Sequence, residues 1–73
     1  MADYQFTVVI ERDEDGMYVV SVPALPGCHT QGGSREEALE NIREAIRLYI
    51  DALRDLGEPI PVEVGLEKVR VVA

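Results

Sequence analysis

The sequence predicts an α+β domain: a small antiparallel sheet of three or four strands with one long helix packed on a face, in the order β-β-β-α-β. Three observations carry this expectation. Two apolar/polar alternating segments flank an Asp15-Gly16 turn signal. A capped run over 34–57 repeats its apolar residues every three and four positions. A last short segment, 68–72, alternates again.

In the first strand, expected over 4–11, Tyr4, Phe6, Val8 and Ile10 alternate with Gln5, Thr7 and Glu11, as on a half-buried strand. A polar connection, residues 12–16, follows, and its Gly16 supplies the positive φ that hairpin turns require. Residues 17–22 form a second strand, with Tyr18, Val20 and Val22 on one face and Met17, Val19 and Ser21 on the other. Pro23 and Pro26 then remove two backbone donors and Gly27 permits a sharp bend, so 23–27 reads as a rigid corner. Residues 28–31 fit a short returning strand, broken by Gly32-Gly33.

The helix has the clearest signals. Ser34 with Glu37 three residues on is a capping box, and Glu36 and Glu37 suit the positive helix N-terminus. Ala38, Leu39, Ile42, Ala45, Ile46, Tyr49, Ile50, Leu53 and Leu56 make one apolar stripe. Glu36, Glu40, Glu44, Arg43, Arg47 and Arg54 are expected largely opposite it, with Glu40–Arg43 and Glu44–Arg47 pairing at i, i+3. Gly57 ends the helix, and Pro59 and Pro61 keep it from resuming. Residues 68–72 either complete the sheet at an edge or pair with another chain. Val69 and Val71 are thus candidates for the core or for a subunit interface.

At 73 residues the chain is expected to form a single domain over 1–73. A domain this small buries only about 60% of its unfolded surface, so its core is marginal. One cysteine allows no internal disulfide, and no Cys/His spacing suits structural zinc. Assembly is the remaining common remedy, and a homo-oligomer, dimer or tetramer, is expected. With no long apolar run and no signal-peptide pattern near the N-terminus, a cytoplasmic protein without membrane contact is expected.

The formal net charge is −7. Such a surface repels phosphate backbones, so direct nucleic-acid binding is disfavoured. It attracts basic partners, or simply confers solubility. Glu11, Asp13, Glu14 and Asp15 are the densest acidic cluster, and three readings of it stand open: a magnesium site, a partner-facing patch, or a solvated hairpin tip. Catalytic carboxylates usually converge from several elements, which weighs against the first. Cys28 and His29 point to opposite faces if 28–31 is a strand, which argues against a shared metal or catalytic pair. Cys28 reads as a small core residue and His29 as a surface one. No cofactor and no enzymatic activity are expected.

In order and spacing these motifs resemble the HicB antitoxin family. The match runs Asp15-Gly16 before Tyr18-Val19, then Pro23-x-Leu25-Pro26-Gly27-Cys28 and Thr30-x-Gly32. It continues with Ser34-x-Glu36-Glu37-Ala38, Asn41-x-x-Glu44-Ala45-Ile46 and Ile60-Pro61. The resemblance implies a fold similar to a degraded ribonuclease H core, without the activity. It implies an antitoxin that binds a HicA-like toxin, a small basic ribonuclease of double-stranded-RNA-binding-domain shape that uses a histidine. Many family members carry a C-terminal helix-turn-helix or ribbon-helix-helix domain. Only about fifteen residues follow the helix here, so no C-terminal DNA-binding domain is expected. The partner-binding candidates are Glu11, Asp13, Glu14 and Asp15, which would steer a basic toxin, and Pro23, Leu25 and Pro26 of the rigid corner. The alternative is a stand-alone homo-oligomeric structural or small-ligand-binding domain without a toxin.

Overall fold

The computed structural model of the chain describes residues 4–65 and 67–73; Met1–Asp3 and Leu66 lie outside the described residues. Three strands, β1 (Val9–Arg12), β2 (Tyr18–Ser21) and β3 (His29–Gly32), precede one helix, α1 (Arg35–Leu56). The strands form an antiparallel sheet in the order β1-β2-β3. Val9 pairs with Ser21 and Arg12 with Tyr18; Tyr18 in turn pairs with Gly32 and Ser21 with His29.

The helix begins and ends where its capping residues dictate. The Ser34 side chain accepts a hydrogen bond from the Glu37 N–H (3.1 Å), and the Glu37 carboxylate accepts one from the Gly33 N–H (3.3 Å). The reciprocal bond of the capping box therefore falls one residue earlier than its usual position. At the other end Gly57 adopts φ 71°. The Gly57 N–H donates to Arg54 O and the Glu58 N–H to Leu53 O, a Schellman closure that satisfies two terminal carbonyls.

Val20, Val22, Leu25, Cys28, Ala38 and Ile42 form the buried core, with Phe6, Val8, Ile10, Tyr18, Leu39, Ala45, Ile46 and Tyr49 packed around it. The alternation therefore points Phe6, Val8, Ile10, Tyr18, Val20 and Val22 inward as expected, whereas Tyr4, expected on the same face, is 42% exposed. The helix stripe points inward over 38–50, and frays outward to Leu56, which is 72% exposed. α1 lies over β3 and β2 but not over β1.

Three expectations differ from the structure. The first strand pairs only over 9–12, because the register places Thr7 opposite Pro23, where β2 has already turned away and no N–H is available. Residues 4–8 keep the alternation without a ladder. Of the two i, i+3 ion pairs, Glu44–Arg47 forms at 3.5 Å, between exposed side chains; Glu40–Arg43 is not among those of the described residues. No strand forms over 68–72; residues 67–73 are exposed and belong to no ladder. Three strands, not four, make the sheet within the described residues, since an alternating segment gains a ladder only where a strand edge meets it.

Candidate partner-binding surface

The hairpin tip is built by Asp13. Its N–H donates to Met17 O (2.9 Å), and its carbonyl accepts from the Gly16 N–H (3.1 Å). These bonds leave a three-residue loop, Glu14-Asp15-Gly16, with Gly16 at φ 83°. One carboxylate oxygen of Asp13 accepts from the N–H groups of Asp15 (3.0 Å) and Met17 (2.9 Å). Asp13 is thus first a turn-forming residue. Glu11, Glu14 and Asp15 stand exposed beside it, and none of the four carboxylates is in an ion pair among the described residues. The one cation in their midst, Arg12, lies over the Tyr18 ring at 5.3 Å. Among the described residues no three His, Cys, Asp or Glu side chains come together as a metal-binding group.

The proline corner consists of two successive β-turns. The Leu25 N–H donates to Val22 O and the Cys28 N–H to Leu25 O, both at 3.0 Å. Pro23 and Pro26 each occupy the position after the turn's first residue, which their fixed φ favours. Gly27, at φ 80°, completes the second turn as the left-handed residue. A third bond, Val22 N–H to Cys28 O (3.0 Å), clamps the base of the corner. Leu25, shared by both turns, is 0% exposed. The expectation that it contacts a partner is therefore corrected: with Pro23 and Pro26 turned to solvent, Leu25 is driven inward and pins the corner to the core. Cys28 is buried beside it, and burial pushes its thiol pKa up, which leaves it the small core residue expected. His29 is exposed.

A third feature was not legible as a site. Between residues 4–8 and α1 lies an open groove of about 930 Å³. Phe6, Val8, Leu39, Ile42, Ile46 and Ile50 line it with apolar surface, and Arg43, Arg47, Arg54 and the acidic Asp51 line it with charge. Arg54 donates to the Tyr4 hydroxyl (3.2 Å) and lies 5.6 Å from that ring's centre. These arginines do not stand opposite the stripe, as the spacing first suggests. At about 100° per residue they fall just past its Ile50 edge. The signal was available: positions 43, 47 and 54 share a narrow arc beside Leu39, Ile46 and Ile50.

The family model for the HicB-like antitoxin of bacterial toxin-antitoxin systems matches residues 6–72. The chain belongs to the HicB-like antitoxin family. A UPF0150 protein of Thermoplasma acidophilum is 61% identical over 57 residues, covering 78% of this chain and 83% of that protein. A UPF0150 protein of Archaeoglobus fulgidus is 53% identical over 62 residues, covering 82% and 90%. The crystal structure of the N-terminal domain of Burkholderia pseudomallei antitoxin HicB superposes with a TM-score of 0.73 at 33% identity, covering 84% of this chain and 72% of that one. The three-strand, one-helix architecture is thus that of a HicB N-terminal domain. A HicB-like antitoxin has a toxin as its kind of partner. No described helix is long and apolar enough to cross a membrane. The hairpin tip, the outer face of the proline corner and the groove are candidate surfaces among the described residues.

Proposed function

We propose that this HicB-like chain silences a small basic HicA-like ribonuclease by occlusion, laying its acidic hairpin over the toxin's RNA-binding face and catalytic histidine. The observation that carries the reading is the exposed hairpin end, where Glu11 at the end of β1 and Glu14 and Asp15 of the loop stand around the turn-forming Asp13, all four without ion-pair partners among the described residues. Opposite charge on a toxin would speed encounter and fix orientation. The outer face of the corner, Pro23 and Pro26, adds a contact that loses little entropy on binding, because the two turns and the buried Leu25 already hold it. Inhibition of this kind asks no chemistry of the antitoxin.

Charge reversal tests the steering. The triple substitution Glu11→Lys, Glu14→Lys, Asp15→Lys leaves the turn-forming Asp13 in place. Measured by stopped flow at low salt against a small basic HicA-like ribonuclease, the association rate should fall about 10- to 100-fold, with most of its salt dependence lost. The helical circular dichroism should not change. An unaltered rate and salt slope would remove the hairpin from the interface.

A further inference from the structure

β3 is an outer strand of the sheet, and two side chains of α1 reach around to its open edge. The ladder register decides which backbone groups face that edge. The Val22 N–H donates to Cys28 O (3.0 Å), which makes Val22–Cys28 a hydrogen-bonded pair. Bonded and non-bonded pairs alternate along an antiparallel ladder. Val20–Thr30 and Tyr18–Gly32 are therefore bonded pairs, whereas Ser21–His29 and Val19–Gln31 are not. The N–H and C=O groups of His29 and Gln31 turn away from β2 toward the open edge. The Gly33 N–H continues the same series.

Two of these outward groups are already taken, both by the helix. The Asn41 side-chain amide donates to Gln31 O (2.9 Å), and the Glu37 carboxylate accepts from the Gly33 N–H (3.3 Å). Glu37 and Asn41 are four residues apart, one above the other on a single helix face. Four helical residues rise about 6 Å, and two strand residues advance about 6.8 Å, so the side chains match the spacing of the groups they meet. Glu37 meets Gly33 and Asn41 meets Gln31, so the helix runs back along the strand it follows. Helix capping accounts for the Glu37 bond but asks nothing of Asn41. Asn41 is exposed, and alanine there would favour the helix more.

We propose that α1 acts as a surrogate neighbour for β3, with Glu37 and Asn41 supplying the acceptor and the donor that an added strand would supply. An incoming strand can then complete both of its bonds at His29 alone, because Gln31 O is occupied. An extended segment of another chain is thereby refused at this edge. A row of unpaired backbone groups templates pairing with other chains, and an edge strand needs such cover. The role of Asn41 is protective and does not depend on any toxin.

The test uses the full chain. In sedimentation equilibrium, Asn41→Ala should form species heavier than the wild-type protein at concentrations about 5- to 10-fold below those at which the wild type forms them, the worth of one hydrogen bond. Its helical circular dichroism should be retained. Adding Gln31→Lys to Asn41→Ala should restore the wild-type concentration dependence, since a lysine on an edge strand opposes pairing. Ile42→Val, a buried substitution that lowers stability without opening the edge, should associate as the wild type does. Wild-type behaviour of Asn41→Ala would overturn the proposal. So would an equal rise in Ile42→Val, or a rise in Asn41→Ala that the added lysine does not reverse.

Discussion

Leu25→Ala should lower the stability of the domain by about 2–5 kcal/mol. Leu25 is the largest of the fully buried side chains together with Ile42 and Val20, and it lies where the two turns of the proline corner meet. Removing it leaves a cavity beneath a segment whose prolines and clamped base restrict collapse. A domain of this length has a total stability of about 4–11 kcal/mol, so the loss is a large share of it. At about 4–8 °C per kcal/mol for a domain of this size, the melting temperature should fall by roughly 8–40 °C. Thermal unfolding followed by circular dichroism checks this, with Leu56→Ala as the matched control because Leu56 is exposed. The control should shift stability by no more than about 0.5 kcal/mol. If Leu25→Ala behaved like the control, the corner would not be anchored as described.

The second large effect is expected at Gly32, for a reason unrelated to backbone freedom. Its φ is not in the positive region; what it lacks is room. A Cβ there would stand 2.6 Å from Ala38 N and 2.9 Å from Ala38 Cα, both backbone atoms of the first helical turn. Neither can rotate away, so Gly32→Ala must push α1 off β3. That motion strains the Ser34–Glu37 cap and the hydrogen bond from the Asn41 side chain to Gln31 O (2.9 Å). The expected cost is about 1–3 kcal/mol, or roughly 5–20 °C in melting temperature. Gly33→Ala provides the comparison, since a Cβ there meets nothing within 4 Å. Equal melting temperatures for the two variants would mean that the helix does not approach the sheet this closely.

Both residues show what local sequence can and cannot reveal. The helix was legible from Ser34 to Gly57 because its caps and its stripe are properties of neighbouring residues. Gly16 was legible as a turn residue for the same cause. Leu25 was not, because the Pro-x-Leu-Pro-Gly string reads as an outward loop. Only the pairing of two turns shows that exposing both prolines sends the leucine inward. Gly32 read as a strand breaker, whereas it ends β3 and admits the helix. Asp13 read as one acid among four, and its role in the turn emerges from bonds to Asp15 and Met17. The arginine-lined groove depends on how far α1 lies from β1, a distance that no spacing along the chain encodes. The alternation at 68–72 was visible, but alternation describes a strand and not its partner.

The family places this chain among antitoxins. The acidic tip suits encounter with a basic protein. The stiffened corner suits a preformed contact.

Occlusion of a toxin is tested most simply by RNA cleavage by a small basic HicA-like ribonuclease, taken from any such gene neighbouring that of this chain and titrated with the purified protein. Cleavage should fall to background as this chain reaches equimolar concentration, and the charge-reversed hairpin variant should require a large excess to do the same. Undiminished cleavage in the presence of excess folded protein would contradict occlusion.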